Sequence, residues 1–103
     1  MDGIEIRENP RAHRFEAYLG DGGVAIAEYT LKAGKIVFTH TEVPPAHEGR
    51  GIGSALIKFA LRSARKRHLQ VIPRCPFFAD YIRRHVVEQD LLEPAWRAKL
   101  ALD

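Results

Sequence analysis

The sequence predicts an α/β domain of the mixed α+β kind, with an antiparallel β-meander followed by a helix, a parallel strand and C-terminal helices. Up to Val43, apolar and polar residues alternate in short runs between glycine-rich turns, which is typical of consecutive strands. From Ile52 onward, apolar residues recur at helical spacing, and a short apolar run at residues 69–73 separates two helical segments. A helix between two strands predicts that the last strand pairs parallel to its predecessor, which makes the sheet mixed.

The predicted meander has four strands, at residues 4–7, 15–19, 24–31 and 35–43. Asn9-Pro10 ends the first of them. Gly20-Asp21-Gly22-Gly23 is a strong hairpin signal between the second and third strands, because glycine adopts the positive φ angles that such turns need. Ala33-Gly34 then turns the chain into the fourth strand.

The predicted helices cover residues 52–67, 76–85 and 94–102. In the first helix, the apolar residues that share one face are Ile52, Leu56, Phe59, Ala60 and Ala64, and the basic residues opposite are Lys58, Arg62 and Arg65. This helix is expected to be about 24 Å long, which is enough to cross a sheet. The other two helices begin with a proline, a residue favoured in the first turn.

Length and composition indicate a single domain spanning residues 1–103, with the apolar and charged content of an ordinary soluble globular protein. The apolar runs are too short to cross a bilayer, and the first residues lack the features of a signal peptide. One cysteine cannot form an internal disulfide, so we expect a cytoplasmic protein. A monomer or a weak homo-oligomer is expected. No His, Cys, Asp or Glu residues show metal-ligand spacing, and no metal is expected.

The most informative segment joins the fourth strand to the first helix and reads Val43-Pro44-Pro45-Ala46-His47-Glu48-Gly49-Arg50-Gly51-Ile52-Gly53-Ser54. Three glycines occupy alternate positions where the helix should begin, and they allow both positive φ angles and the close approach of a ligand. A helix N-terminus presents unpaired N–H groups and a partial positive charge. Together these features predict a binding site for a phosphate or pyrophosphate.

Two common nucleotide motifs do not fit this segment. A P-loop requires a lysine directly after the last glycine, and none follows Gly53. The dinucleotide fingerprint requires glycine or alanine at its sixth position, which is Ser54 when counted from Gly49 and Leu56 when counted from Gly51. A plain glycine-rich turn between strand and helix is the alternative to a ligand site.

The spacing resembles the pyrophosphate loop of the GNAT superfamily of N-acetyltransferases, Arg/Gln-x-x-Gly-x-Gly/Ala, placed after a strand and before a helix. Gly51-Ile52-Gly53 match the glycine positions. Glu48 stands in the Arg/Gln place, and Arg50 is expected to supply the positive charge instead. The resemblance implies that coenzyme A enters a gap between splayed parallel strands, where Val43 and the residues from Glu48 to Ser54 contact it.

A second segment, Pro73-Arg74-Cys75-Pro76-Phe77-Phe78, follows the last predicted strand. It resembles a minimal branch of the superfamily, the YjdJ-like proteins, in which Cys-Pro-Phe precedes a helix of the Tyr-Ile-Arg-Arg-His type, here residues 81–85. The resemblance covers roughly residues 15–92, and it implies acetyl-CoA as the acyl donor and an amine as the acceptor. At least two of Phe77, Phe78 and Tyr81 are expected in the core, and Phe77 is the candidate to flank the pantetheine arm.

Cys75 is the first candidate catalytic residue. It lies at the expected N-cap of a helix and beside Arg74, surroundings that favour a thiolate. A thiolate can take an acetyl group from a thioester and pass it to an amine. The resemblance also implies the usual direct attack by the amine, in which case Cys75 only lines the pocket; a buried inert cysteine is the third possibility.

His40 is the second candidate, as the base that removes a proton from the acceptor amine. Residues two apart on a strand share a face, so His40 and Glu42 are expected to lie on the same face as Phe38. His40 would also pair with Cys75 if the ends of the neighbouring strands bring the two residues together. A strand-face histidine bonded to a neighbour is the alternative.

The glycine loop and the resemblance to the GNAT superfamily together imply an acetyl-CoA-dependent N-acetyltransferase with an unidentified amine acceptor. A non-catalytic module that binds acyl-CoA or regulates a partner is the main alternative, since only the enzyme needs a reactive Cys75 or His40. A small nucleic-acid-binding domain is a weaker third possibility, based on a net charge of +3 and a basic run at residues 62–68. A solvated helix end explains the same basic run.

Overall fold

The structure is a computed structural model that describes residues 4–102. The strands are β1 (Glu5–Asn9), β2 (Arg14–Tyr18), β3 (Val24–Lys32), β4 (Lys35–Glu42) and β5 (Gln70–Pro73). The α-helices are α1 (Ile52–Lys66), α2 (Pro76–Arg84) and α3 (Pro94–Lys99), and the 3₁₀ helices are Pro10–Ala12, Pro45–His47 and Val86–Leu91. The predicted order of elements and the mixed α/β class are confirmed.

The strands form one sheet in the order β1-β2-β3-β4-β5. Strands β1 to β4 are an antiparallel meander, and β5 runs parallel to β4 after the crossover through α1. The parallel pair is short, because its register extends only from Lys35↔Gln70 to Phe38↔Pro73. Beyond Phe38, β4 continues to Glu42 while the other chain leaves the sheet and enters α2, so the two strands part at this point.

A β-bulge lies on β4 where the two strands part. Glu28 pairs with His40, but the next residue of β3, Tyr29, pairs with Phe38, so Thr39 is the extra residue. Its hydroxyl donates to the Glu28 carbonyl at 3.3 Å. The extra residue breaks the alternation of side chains, and for this reason the predicted common face of Phe38 and His40 is wrong: Phe38 is buried and His40 is exposed.

The core lies between one face of the sheet and helices α1 and α2. Phe38 of β4 stacks on Phe78 of α2 with ring centroids 4.0 Å apart and planes inclined by 9°. The buried residues of α1 are Ile52, Leu56, Ile57, Ala60, Leu61 and Ala64. Phe59 was expected in this set, but 36% of it is exposed because it lies at the edge of the helix face, with its ring edge against Phe15.

The C-terminal segment closes the end of α1. Arg65 forms a two-pronged ion pair with Asp90 at 2.8 and 2.9 Å, and it also donates to the Val87 carbonyl. Leu92 bridges to Val71 of β5, which extends the sheet by one isolated bridge. Within the described part of the chain, no helix combines the length and the apolar character needed to cross a bilayer.

Candidate active site

A cleft of about 440 Å³ opens where β4 and β5 part. Three elements line it: the end of β4, the loop and first turns of α1, and one face of α2. The lining residues are Thr41, Val43, His47, Glu48, Gly49, Gly51, Ile52, Gly53, Ser54, Ile57, Phe77, Asp80, Tyr81 and Arg84. The structure therefore brings eight of the nine predicted cofactor-binding residues together, and the exception is Arg50.

The glycine loop presents bare backbone to this cleft. Gly49 and Gly51 have φ angles of 80° and 77°, a left-handed conformation that other residues adopt only with strain. Gly51 is the N-cap of α1, and the first backbone bond after it runs from Ala55 N to Gly51 O at 3.0 Å. The preceding N–H groups have no partner within the helix. Among residues 4–102, no side chain caps them, and the first turn carries no acidic residue.

Gly53 is the point where α1 approaches β4. A Cβ built there would lie 3.6 Å from Val43 Cγ2, an ordinary van der Waals contact. The side chains of Val43, Ile52 and Ile57 give the adjoining wall an apolar character. The cleft thus pairs an electropositive helix end with an apolar surface, a combination that fits a chain carrying a pyrophosphate at one end.

The charged residues around the loop differ from the expectation. Glu48 lines the cleft, whereas Arg50 is exposed and is not among the lining residues. The basic side chain that does line the cleft is Arg84, on α2, where it pairs with Asp80 at 3.1 Å. Arg84 therefore contributes a guanidinium group to the cleft, although Arg50 is nearer to the loop in sequence.

The face of α2 that lines the cleft was largely missed by sequence reasoning. Phe77, as predicted, lines it and is 65% exposed, while Phe78 and Tyr81 are buried as expected. Phe77, Asp80, Tyr81 and Arg84 are spaced as one helix face, and this spacing was the signal that could have identified them. Burial, followed by the charge of Glu88, raises the pKa of the Tyr81 phenol, which therefore stays protonated at neutral pH.

Cys75 lies at the N-cap of α2, as predicted, with its N–H donating to the Phe38 carbonyl at 2.9 Å. Its thiol donates to Thr41 Oγ1 at 3.3 Å, and only 2% of the residue is exposed. Thr41 lines the cleft and Cys75 does not. The thiol is therefore held one side chain behind the surface of the cleft.

His40 does not lie in the cleft. Because of the bulge at Thr39, the side chain that faces the cleft is that of Thr41, and His40 lies on the opposite face of the sheet, where its Nε2 is 3.6 Å from Glu42 Oε2. Both side chains of this pair are more than half exposed. The structure thus does not bring the two predicted catalytic residues together.

His47 is a lining residue to which the sequence pointed only through its position in the loop. It is buried, and its Nε2 lies 2.7 Å from Asp21 Oδ2 in the turn between β2 and β3. Asp21 also accepts from Gly23 N at 2.8 Å. The bond from Gly23 N and, to a lesser extent, the bond to His47 lower the pKa of the Asp21 carboxyl. The pair ties the start of the glycine loop to the rigid meander.

Comparisons with known proteins agree with this geometry. The family model for GCN5-related N-acetyl-transferase matches residues 14–91. Protein NATD1 from Homo sapiens is 33% identical over 92 residues, covering 85% of this chain and 80% of that protein. Protein NATD1 from Gallus gallus is 32% identical over 92 residues, covering 85% and 82%.

A solved structure shares the fold. The solution structure of a GCN5-like protein from Staphylococcus aureus superposes with a TM-score of 0.70, covering 90% of this chain and 91% of that one at 24% identity. The resemblance first seen in the glycine loop is confirmed at the level of the superfamily, and with it a broad assignment to acyl transfer. The chain belongs to the GCN5-related N-acetyltransferase family.

Proposed function

We propose that this protein is an acetyl-CoA-dependent N-acetyltransferase that moves an acetyl group to an amine. The observation that carries the proposal is the uncapped N-terminus of α1. It follows two left-handed glycines and faces an apolar cleft where two parallel strands part. This arrangement suits a long thioester ligand with a pyrophosphate, because backbone N–H groups can bind the phosphates while the apolar wall covers the chain.

The residues of the cleft fit that ligand. Acetyl-CoA supplies a thioester, whose carbonyl carbon is the electrophile of the reaction. In this proposal the N–H groups after Gly51 hold the pyrophosphate, and Val43 and Phe77 flank the pantetheine arm. Arg84, paired with Asp80, adds a guanidinium group at the cleft, and Tyr81 is a protonated donor within it.

We favour direct attack by the amine over an acyl intermediate on Cys75. In direct attack the amine nitrogen bonds to the acyl carbon, the carbon–sulfur bond breaks, and the leaving thiolate receives the proton that the amine loses. A thiol route would require Cys75 to reach past Thr41, to which it is hydrogen-bonded, from a position that is 2% exposed. In this proposal Cys75 supports the wall of the cleft through its hydrogen bond to Thr41.

A non-catalytic acyl-CoA-binding module is the second candidate. It is favoured by the fact that neither Cys75 nor His40 lines the cleft. The two candidates agree on ligand binding and differ only on turnover.

Two measurements test the proposal. Calorimetric titration should show binding of coenzyme A, and no detectable uptake would refute both candidates. Release of free thiol from acetyl-CoA in the presence of a panel of primary amines should then be stimulated by at least one acceptor. Binding without stimulated release by any amine in the panel would favour the non-catalytic module.

Intact-protein mass spectrometry after brief incubation with acetyl-CoA distinguishes the two chemical routes. Direct attack predicts no acetyl adduct on the wild type and continued turnover by Cys75→Ala. A labile adduct of acetyl mass that is present on the wild type and absent from Cys75→Ala would establish the thiol route instead.

A further inference from the structure

A second groove, of about 360 Å³, lies between α1 and β1 and shares no lining residue with the cleft. Its floor is apolar and consists of Ile6, Phe15 and the half-covered ring of Phe59. Phe59 is 36% exposed at the edge of the helix face, and it lines this groove. The proposed function does not use this groove.

The wall that α1 contributes to the groove is basic and unpaired. Arg62 and Lys66 line it, and neither has an ion-pair or hydrogen-bond partner among residues 4–102. Lys58 continues the same helix face one turn earlier and is likewise unpaired among those residues. Other cations of this basic run are neutralised, since Arg65 pairs with Asp90 at 2.8 Å and Arg67 with Glu8 at 3.2 Å. Arg65 and Arg67 thus form ion pairs within the fold, whereas Arg62 and Lys66 are available to bind an anionic group.

The opposite wall of the groove is the edge of the sheet. Within the described residues β1 pairs only with β2, so the backbone groups on its outer side are available to an extended chain. Spacing favours such a chain. Residues four apart on a helix are separated by about 6 Å. Alternate residues of an extended chain are separated by about 6.7 Å. An extended segment that runs along the axis of α1 can therefore place its alternate side chains near Lys58, Arg62 and Lys66.

We propose that this groove binds an extended acidic segment of a partner protein, with carboxylates against Arg62 and Lys66 and an apolar side chain over Phe59. Charge complementarity selects an acidic occupant, and the apolar floor selects one that is not acidic throughout. A nucleic-acid duplex fits less well, because its phosphates would leave the floor uncovered. The inference does not depend on the proposed function.

The test uses a fluorescein-labelled peptide in which glutamate, glutamate and leucine occupy successive alternate positions, separated by serine, so that the two carboxylates have the spacing of Arg62 and Lys66. Anisotropy should show salt-dependent binding to the wild type, and a peptide with lysine in place of glutamate should not bind. The double variant Arg62→Glu/Lys66→Glu should weaken binding on the order of tenfold, since two attractive pairs become repulsive. The matched double variant Lys32→Glu/Arg74→Glu changes the same total charge at exposed positions that line neither cavity, and it should leave binding within about twofold.

A further variant separates a specific groove from a merely basic surface. Phe59→Ala removes the exposed part of the floor without altering the charge, and it should also weaken binding of the peptide. Thermal unfolding of each variant establishes that the fold is retained. Unchanged binding by Phe59→Ala, equal losses in the two charge variants, or no binding to the wild type would each overturn the proposal.

Two further outcomes would also refute it by identifying a different occupant. In the first, an oligothymidylate binds with the same affinity as the peptide and displaces it, and the double variant Arg62→Glu/Lys66→Glu no longer binds the oligothymidylate. This result would indicate a surface for polyanions in general. In the second, sedimentation shows concentration-dependent dimerisation of the wild type, and the double variant Arg62→Glu/Lys66→Glu stays monomeric. This result would assign the groove to a second copy of the chain.

Discussion

Gly49 and Gly34 offer a matched pair for testing the glycine loop. Both residues have left-handed φ angles, 80° and 72°, and a Cβ added to either would meet no protein atom within 4 Å. They differ in location, because Gly49 lines the cleft and Gly34 turns β3 into β4. Substituting each by alanine therefore imposes the same backbone strain at one site inside the proposed ligand loop and at one site outside it.

The expected magnitudes follow from this geometry. A left-handed conformation costs a non-glycine residue about 1–2 kcal/mol. The reduced freedom of the unfolded chain returns about 0.4–1 kcal/mol. Both variants should thus lose roughly 1 kcal/mol of unfolding free energy, and a domain of this size should melt about 4–8 °C lower. Urea unfolding followed by circular dichroism measures the free energy directly.

Of the two variants, only Gly49→Ala should weaken the binding of coenzyme A. Any rotation of the loop that eases part of this strain would misalign N–H groups toward the phosphates, and a hydrogen bond to a charged group contributes about 1.5–3 kcal/mol. Calorimetry should show that the affinity for coenzyme A falls roughly ten- to a hundredfold in Gly49→Ala and changes little in Gly34→Ala. Equal affinities in the two variants, with both still folded, would refute the assignment of the loop.

Three further predictions follow from other contacts. Gly53→Ala should retain the fold and gain up to about 0.8 kcal/mol of unfolding free energy, because the new methyl makes an ordinary contact with Val43 inside a helix; a clear loss in urea unfolding would contradict the contact distance. Phe78→Leu should lose about 1–2 kcal/mol, because the ring stacked on Phe38 is lost from a buried site; an unchanged melting temperature would contradict that stack. Glu16 accepts from Tyr18, Arg14 and Asn9, and these bonds, with Tyr18 first, lower its pKa despite burial. A lowered carboxyl pKa contributes stability above the unfolded-state value, so this contribution should be complete at neutral pH and should be lost as the pH falls below about 4. Glu16→Gln should therefore be less stable than the wild type at pH 7 and closer to it at pH 3, and a difference between the two proteins that does not change with pH would contradict this role.

Much of the fold could be predicted because local signals agree with it. Alternation, hairpin glycines and helix-start prolines locate the strands and helices to within a few residues, and the glycine spacing correctly identified the loop that lines the cleft. These signals depend on neighbouring residues, and tertiary contacts here reinforce them.

The errors arise where a residue's position depends on a distant element. The bulge at Thr39 exists only in pairing with β3, so nothing near His40 reveals that it faces away from the cleft. Arg84 reaches the cleft because α2 packs across from α1, while Arg50 is nearer in sequence and lies outside. The exposure of Phe59 likewise reflects where α1 lies on the sheet, since helical spacing alone does not distinguish the centre of a face from its edge.

The surplus residue at position 39 has a consequence for how this chain tolerates change in length. In a version one residue shorter here, every later side chain of β4 would keep its present orientation, because a bulge holds two residues opposite one. The strand would lose its bend and would be expected to stay closer, beyond Phe38, to the chain that leads from β5 into α2. A deletion that looks harmless by its effect on side-chain pattern should therefore narrow the opening from which the whole binding surface is built.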